Sequence, residues 1–172
     1  MASTETEQKK FGDSHPIGEI LDDWTDWVSE NEEGDLSIDY DEDEDIFKLE
    51  RDDRNAVLFT SDIDEDFYGE AQSVFVESEI GPVPEALDLS QTLKFSGNEL
   101  VLSRISLSDR DDKTVLLVEG ALPTSHITSG LLDLLVKEVS TIARDLRKHL
   151  ASVLETDEVE DDDDDDDEDD EE

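Results

Sequence analysis

Cysteine is absent from this sequence of 172 residues, and long hydrophobic runs are absent as well. Without cysteine the chain has no disulfide framework, no thiolate zinc site and no cysteine nucleophile. No apolar run approaches the roughly 18 residues of a membrane-spanning helix, and the opening residues lack the apolar stretch of a secretion signal. We therefore expect a cytoplasmic protein with no membrane partner.

Basic residues are scarce. The sequence has 13 Lys and Arg against 53 Asp and Glu, a formal net charge of −40. The segment 157–172 holds 15 of the acidic residues, so 38 acidic and 13 basic residues remain in the rest of the chain, a net charge of −25. Direct nucleic-acid binding is disfavoured, because it needs clustered Lys and Arg to neutralise phosphates.

The acidic excess has two explanations that do not exclude each other. A surface rich in carboxylates and poor in lysine resembles that of halophilic proteins, in which salt screens the self-repulsion of the charge. The same charge attracts a basic partner from a distance. The Asp-rich run at 157–172 has the composition of a disordered tail, which could serve either purpose.

Motifs of catalytic sites are missing. The sequence contains no GxSxG, no phosphate-binding glycine loop and no HExxH. The three histidines, His15, His126 and His149, are scattered, and Ser125 or Thr124 is expected to cap the helix that follows. We therefore predict that the protein is not an enzyme and uses no cofactor.

One acidic stretch has the spacing of a calcium loop. In DYDEDEDIFKLE, carboxylates occupy four ligand positions of an EF-hand loop: Asp39, Asp41, Asp43 and Glu50. Glu44 stands where the sharp turn of such a loop needs glycine, and the residues from Ile46 onward fit a strand. We expect an acidic turn with weak, non-selective binding of divalent cations and no dedicated metal site.

Two helices are predicted, one near each end of the chain. The first has Pro16 in its first turn and ends at Gly34, with Trp24 and Trp27 on or beside its apolar stripe. These tryptophans either pack against a sheet or form an exposed docking face. The second helix runs over 124–155, and its predicted apolar face consists of Ile127, Leu131, Leu134, Leu135, Val139, Ile142, Leu146, Leu150 and Val153.

Three basic residues gather near the end of the second helix. Arg144, Arg147 and Lys148 complement the negative end of the helix dipole, or they receive the acidic tail when it folds back.

Between the helices the sequence predicts strands. Three of them form a meander, a short helix or loop covers 85–93, and two more form a hairpin: 45–50, 55–63, 71–80, 99–109 and 113–122. The continuous apolar run TVLLV in the last strand is typical of a buried central strand.

These elements predict an α+β fold. A twisted antiparallel sheet of about five strands is packed by the N-terminal helix and the long C-terminal helix, in the order α-βββ-(α)-ββ-α. Residues 1–13 are predicted to be disordered, 14–156 to form a single domain and 157–172 to form a disordered acidic tail.

The stretch VLSRISLSDRDDKTVLLVEGALPTSHITSGLLDLLVKEVSTIARDLRKHL, together with the order of elements, resembles the YbjN-like family within the type III secretion chaperone-like fold. The resemblance implies a small α+β domain, often dimeric, that binds protein segments and performs no chemistry. We therefore expect a non-enzymatic protein-binding module, a chaperone or assembly adaptor, with a homodimer as one form. The alternative is an acidic histone-chaperone-like or nucleic-acid-mimicking protein whose tail binds basic partners. The candidate partner-binding residues are Trp24, Trp27, Arg144, Arg147 and Lys148.

Overall fold

The computed structural model describes residues 11–12, 15–32, 36–64, 66, 72–83, 87–88, 90, 92, 94, 96, 100–110 and 113–157. Its regular elements are α1 Gly18–Asn31, β1 Leu36–Asp41, β2 Ile46–Arg51, β3 Arg54–Asp62, β4 Gln72–Pro82, β5 Ser103–Arg110, β6 Lys113–Pro123, a 3-10 turn Thr124–His126 and α2 Ser129–Asp157. Within these described residues, six strands form one antiparallel sheet in the order β1-β2-β3-β4-β6-β5.

The predicted α+β class is confirmed, and the sheet has six strands where about five were predicted. The additional strand is β1, which the sequence suggested to be a turn because of its acidic residues. Its side chains alternate: Ile38 and Tyr40 are half-buried, whereas Ser37 and Asp39 are exposed. This period of two is that of an edge strand with one solvated face.

The apolar run in β6 forms a central strand, as predicted. β6 lies between β4 and β5, and the four residues from Val115 to Val118 are all buried. Successive side chains of a strand point to opposite faces, so this part of β6 is covered on both sides.

The two helices cover one face of the sheet. α2 lies against β3, β4 and β6, and α1 packs beside α2. The buried side of α2 consists of Leu132, Leu135, Val136, Val139 and Ala143, together with the polar Asp133 and Ser140. This side is rotated from the predicted apolar face, because Leu134 is exposed.

The ordered domain begins earlier than predicted. Phe11 is buried, its ring meets Phe47 edge-on, and its backbone N–H donates to the Asp22 carboxylate. A Cβ atom at Gly18 would collide with the backbone oxygens of Phe11 and Gly12, so glycine permits this close crossing. The boundary predicted at residue 13 is therefore corrected to include Phe11. Residues 1–10 and 158–172 lie outside the described residues.

Helix α2 has a different cap from the predicted one. The Thr128 hydroxyl accepts a hydrogen bond from the Leu131 N–H, the geometry of an N-cap. The predicted caps, Thr124 and Ser125, belong instead to the 3-10 turn, where the Thr124 hydroxyl donates to the carbonyl of Gln72. The helix consequently starts at Ser129, five residues later than predicted.

The predicted short helix also lies later in the chain. Leu87 and Asp88 are not helical, whereas Ser90, Thr92, Lys94 and Ser96 have helical conformation. The Thr92 N–H donates to the carbonyl of Asp88 at 3.1 Å. The other residues of the predicted span 85–93 lie outside the described residues.

Candidate protein-binding cleft

The four calcium-ligand candidates are spread along a hairpin. Two lie on β1, one in the turn and one on β2: Asp39, Asp41, Asp43 and Glu50. Glu50 is paired with Ser37 across the strands, so it does not swing back toward the turn as the twelfth ligand of a calcium loop does. Among the described residues, no group of three or more His, Cys, Asp or Glu is arranged to hold a metal ion.

Asp41 has a structural role in this hairpin. One of its carboxylate oxygens accepts hydrogen bonds from the N–H groups of Asp43 and Glu44, and the other accepts one from the Lys48 ammonium at 2.7 Å. The Lys48 hydrogen bond is the main reason why the pKa of Asp41 is lowered. The carboxylate thus shapes the turn.

The two tryptophans contribute to the packing of α1. Trp24 is only 1% exposed and belongs to the core, so it does not form an exposed docking face. Trp27 is half-buried, and its ring edge lies close to Gly130 at the start of α2. The packing of α1 on α2 accounts for both residues.

Arg144, Arg147 and Lys148 bind the sheet from a part of α2 more than two turns before its end at Asp157, so they do not complement the end of the helix dipole as predicted. Arg144 and Lys148 each place a nitrogen 3.0 Å from the Asp53 carboxylate, and their hydrogen bonds lower the pKa of Asp53 to about 2. Arg147 donates to the side chain of Asn55 at 2.9 Å and to the carbonyl of Glu79 at 2.6 Å. These contacts join the second half of α2 to the β2–β3 turn, β3 and β4.

A buried ion cluster, formed by Glu32, Arg51, Asp133 and Lys137, joins the start of α2 to both α1 and β2. Asp133 accepts from Arg51 at 3.3 Å and from Lys137 at 2.8 Å, and its side chain is only 2% exposed. Lys137 and Arg51 also contact Glu32. The sequence gives one signal of this cluster, the pair of Asp133 and Lys137 four residues apart within an apolar run, but none for its links to Arg51 and Glu32.

An apolar cleft, the α2 cleft, opens between α2 and the segment that leads into β5. Its volume is about 550 Å³. Its apolar lining consists of Val101, Leu102, Leu131, Leu134 and Ile142, and its polar lining of Lys137, Glu138 and Thr141. Val101 is 84% exposed and Leu134 is 59% exposed, so two large apolar side chains at the mouth of the cleft are open to solvent.

One wall of the α2 cleft is held in place by Glu138. A single carboxylate oxygen of Glu138 accepts hydrogen bonds from the N–H groups of Val101, Leu102 and Ser103 at 2.9–3.1 Å, and from the Ser103 hydroxyl at 2.7 Å. Burial alone would raise the pKa of Glu138, but these hydrogen bonds outweigh it, so the pKa is lowered. The ionised carboxylate therefore ties residues 101–103 to α2.

Gly120 lets this wall approach the sheet. A Cβ atom at this position would lie 2.7 Å from the Leu102 carbonyl oxygen and 2.5 Å from a methyl group of Leu135. Any larger residue would push the wall or the core away.

The α2 cleft is suited to burying apolar side chains. Its two charged lining residues are already bonded, Lys137 to Asp133 and Glu32, and Glu138 to the wall. The sequence predicts Leu134 on the apolar face of the second helix and Val101 in the strand over 99–109, whereas β5 begins at Ser103. Their positions at the mouth depend on the rotation of α2, which the apolar pattern alone does not specify.

No protein-family model and no curated protein matches this chain. The resemblance to the YbjN-like family therefore stays a prediction. None of the helices in the described part of the chain is both long enough and apolar enough to cross a membrane.

Proposed function

We propose that the protein is a non-enzymatic protein-binding module of the cytoplasm, a chaperone or assembly adaptor of the YbjN-like, type III secretion chaperone-like kind. The α2 cleft is the surface that receives the partner. The observation that carries this proposal is that Val101 and Leu134, two exposed large apolar residues, line the same apolar cleft.

Exposed apolar residues are common when they stand singly, but a contiguous group around a concavity is typical of a binding surface. Burial of one leucine-sized side chain contributes about 1.5–3 kcal/mol, so a partner that covers Val101 and Leu134 gains a useful part of its affinity there. Because Glu138 already holds the wall, little ordering cost is added on binding.

The acidic charge supports a second candidate, an acidic histone-chaperone-like or nucleic-acid-mimicking protein. The segment 157–172 has 15 acidic residues out of 16, and the whole chain has a net charge of −40. A basic protein would be attracted to such a tail over long distances at low salt. This attraction falls steeply as salt rises, whereas apolar burial does not.

A pull-down from lysate with a double variant, Val101→Ser with Leu134→Ser, tests the first proposal. Leu107→Ser is the matched control, because Leu107 is 51% exposed on β5 and does not line the α2 cleft. We expect partner capture to be lost with the double variant and kept with the control, at low and at high salt. Urea denaturation should show that both variants remain folded.

Two results would contradict the proposal. One is that the double variant captures the partner as well as the wild type does. The other is that capture disappears between low and moderate salt in the wild type and in the double variant alike. That result would favour the acidic-protein alternative.

A further inference from the structure

A second apolar surface lies on the face of the sheet opposite the helices. Phe59 and Phe75 pair across β3 and β4, with stacked rings 5.5 Å apart, while their neighbour Leu58 points to the core. Beside Phe59, the side chains of Ile46 and Val57 are half-buried. They line a groove of about 610 Å³, the sheet groove, with Phe59 on the floor.

The cations on the rim of the sheet groove are already bound. Lys48 contacts Asp41 at 2.7 Å, and Arg110 contacts both Glu77 and Glu79. Since each of these cations has its carboxylate, none of them supplies a free positive charge to a ligand. Arg147, also on the rim, donates to two neutral acceptors, the Asn55 side chain and the Glu79 carbonyl, so it adds one positive charge to the rim.

Two carboxylates on the same rim remain available. Glu44 and Glu50 are both exposed, and within the described part of the chain neither side chain forms a hydrogen bond or an ion pair. The charged residues that line the sheet groove carry a formal net charge of −1: Glu44, Glu50, Glu77 and Glu79 against Lys48, Arg110 and Arg147. The sheet groove therefore combines an apolar floor with a small excess of negative charge. The net charge of −25 outside 157–172 adds an attractive field for cations.

We propose that the sheet groove binds a segment of a partner protein that carries apolar side chains together with lysine or arginine. The apolar side chains cover Phe59, Val57 and Ile46, and the cations reach Glu44 and Glu50. Charge complementarity selects this occupant, because an acidic segment or a nucleic acid would be repelled at the same rim. The surface is distinct from the α2 cleft, so the inference holds or fails independently of the proposed function.

A pair of synthetic peptides tests this inference on the full chain. One is a short amphipathic peptide of leucine and lysine, and the other has every lysine replaced by glutamate. Binding is measured by fluorescence anisotropy at about 0.15 M KCl, where exposed charges more than about 8 Å apart are screened. We expect the lysine peptide to bind and the glutamate peptide not to bind.

Variants then locate the binding surface. Phe59→Ser should weaken binding of the lysine peptide about tenfold, the loss expected when an aromatic anchor is removed. The double variant Glu44→Gln with Glu50→Gln should weaken it several-fold. A matched pair on α1, Asp26→Asn with Glu30→Asn, removes the same charge from exposed positions elsewhere and should leave binding unchanged.

Methyl NMR of the unmodified protein separates this result from a failure of Phe59→Ser to fold. Added lysine peptide should shift the methyl signals of Ile46 and Val57. Equal binding by Phe59→Ser, equal binding of the glutamate peptide, or the absence of shifts at Ile46 and Val57 would each overturn the inference. The first of these results would mean that acidic residues outside the sheet groove capture the peptide.

Discussion

Two ion clusters hold helix α2, one near its start and one past its middle, and they use the same kinds of side chain in different surroundings. The buried ion cluster centres on Asp133, whose side chain is 2% exposed. The exposed cluster, formed by Asp53, Arg144, Asp145 and Lys148, centres on Asp53, whose side chain is 56% exposed. The comparison shows that the surroundings, more than the number of charged pairs, decide how much each cluster affects stability.

The reason is the solvent. Around Asp133 little water can replace a lost partner, so removing one partner leaves an uncompensated charge in a poorly polarisable region. Around Asp53, water and dissolved ions can replace a lost ion-pair partner at a small cost in free energy. Lys137 belongs to the buried ion cluster, and the next residue, Glu138, holds one wall of the α2 cleft. The buried ion cluster therefore also fixes the position of the α2 cleft.

The largest effect on stability is expected from the buried ion cluster. Asp133→Ala should lower the free energy of unfolding by about 3–5 kcal/mol, since it leaves Arg51 and Lys137 with Glu32 as their shared carboxylate in the cluster. Urea denaturation measures the change, and Asp145→Ala is the matched control from the exposed cluster. Similar losses for both variants would refute the distinction between the clusters.

A second pair of variants tests whether burial alone, without charge, produces the same difference in stability loss. Leu135→Ala should cost about 2–5 kcal/mol, because Leu135 is fully buried, whereas Leu134→Ala should change stability by less than about 0.5 kcal/mol. Denaturation at fixed salt compares the two neighbours on one helix. A large loss for Leu134→Ala would contradict its assignment to the mouth of the α2 cleft.

Salt should affect the two clusters differently. We expect the melting temperature to rise between about 0.05 M and about 2 M KCl, because the Debye length falls from roughly 14 Å to below 3 Å and the self-repulsion of the acidic surface weakens. The stability difference between wild type and Asp53→Ala should vanish over this range, while that of Asp133→Ala persists. A melting temperature that does not change with salt would remove the halophilic interpretation.

The exposed cluster should respond to pH only under strongly acidic conditions. The pKa of Asp53 is lowered from 3.8 to about 2 by Lys148 and Arg144. A lowered pKa means that the carboxylate stabilises the folded state above about pH 3.8, and that this contribution is lost as the pH falls through about 2. An NMR titration of the side-chain carboxyl carbon of Asp53 measures this pKa. A midpoint near 3.8 would mean that the two cations do not hold Asp53 in solution.

The smallest effect is expected from the acidic tail. Removal of residues 157–172 should leave the free energy of unfolding almost unchanged, because an exposed, flexible ion pair contributes only about 0–1 kcal/mol. Partner binding or solubility should change instead. If the truncation costs as much stability as Leu135→Ala, the segment is a structural part of the fold.

Much of the architecture was predictable because it depends on local periodicity. Both helices and five of the six strands in the described chain follow from apolar spacing, and β2 pairs with β3 in antiparallel fashion, as the predicted meander requires. The strand β1 was missed because acidic residues on its solvated face hid the half-buried Ile38 and Tyr40. The burial of Phe11 was missed because a single apolar residue has no period.

The candidate surfaces were less predictable than the elements that carry them. Val101 and Leu134 are 33 positions apart in the sequence, and Arg51 and Asp133 are 82 apart. No local pattern relates such pairs, because their proximity depends on how α2 is rotated and how β6 enters the sheet. The same holds for the sheet groove, where Phe59 and Phe75 meet only through the pairing of β3 with β4.

The sequence by itself determined the charge, the absence of thiol chemistry and the amphipathic character of both helices, since these properties depend on composition and short-range spacing. Tertiary structure decided which side of α2 is buried. An apolar stripe wide enough to include both Leu134 and Leu135 can dock on a sheet in more than one rotation, and the contacts of Asp133 with Arg51 and of Glu138 with residues 101–103 select one of them. That rotation buries Leu135 and leaves Leu134 at the mouth of the α2 cleft.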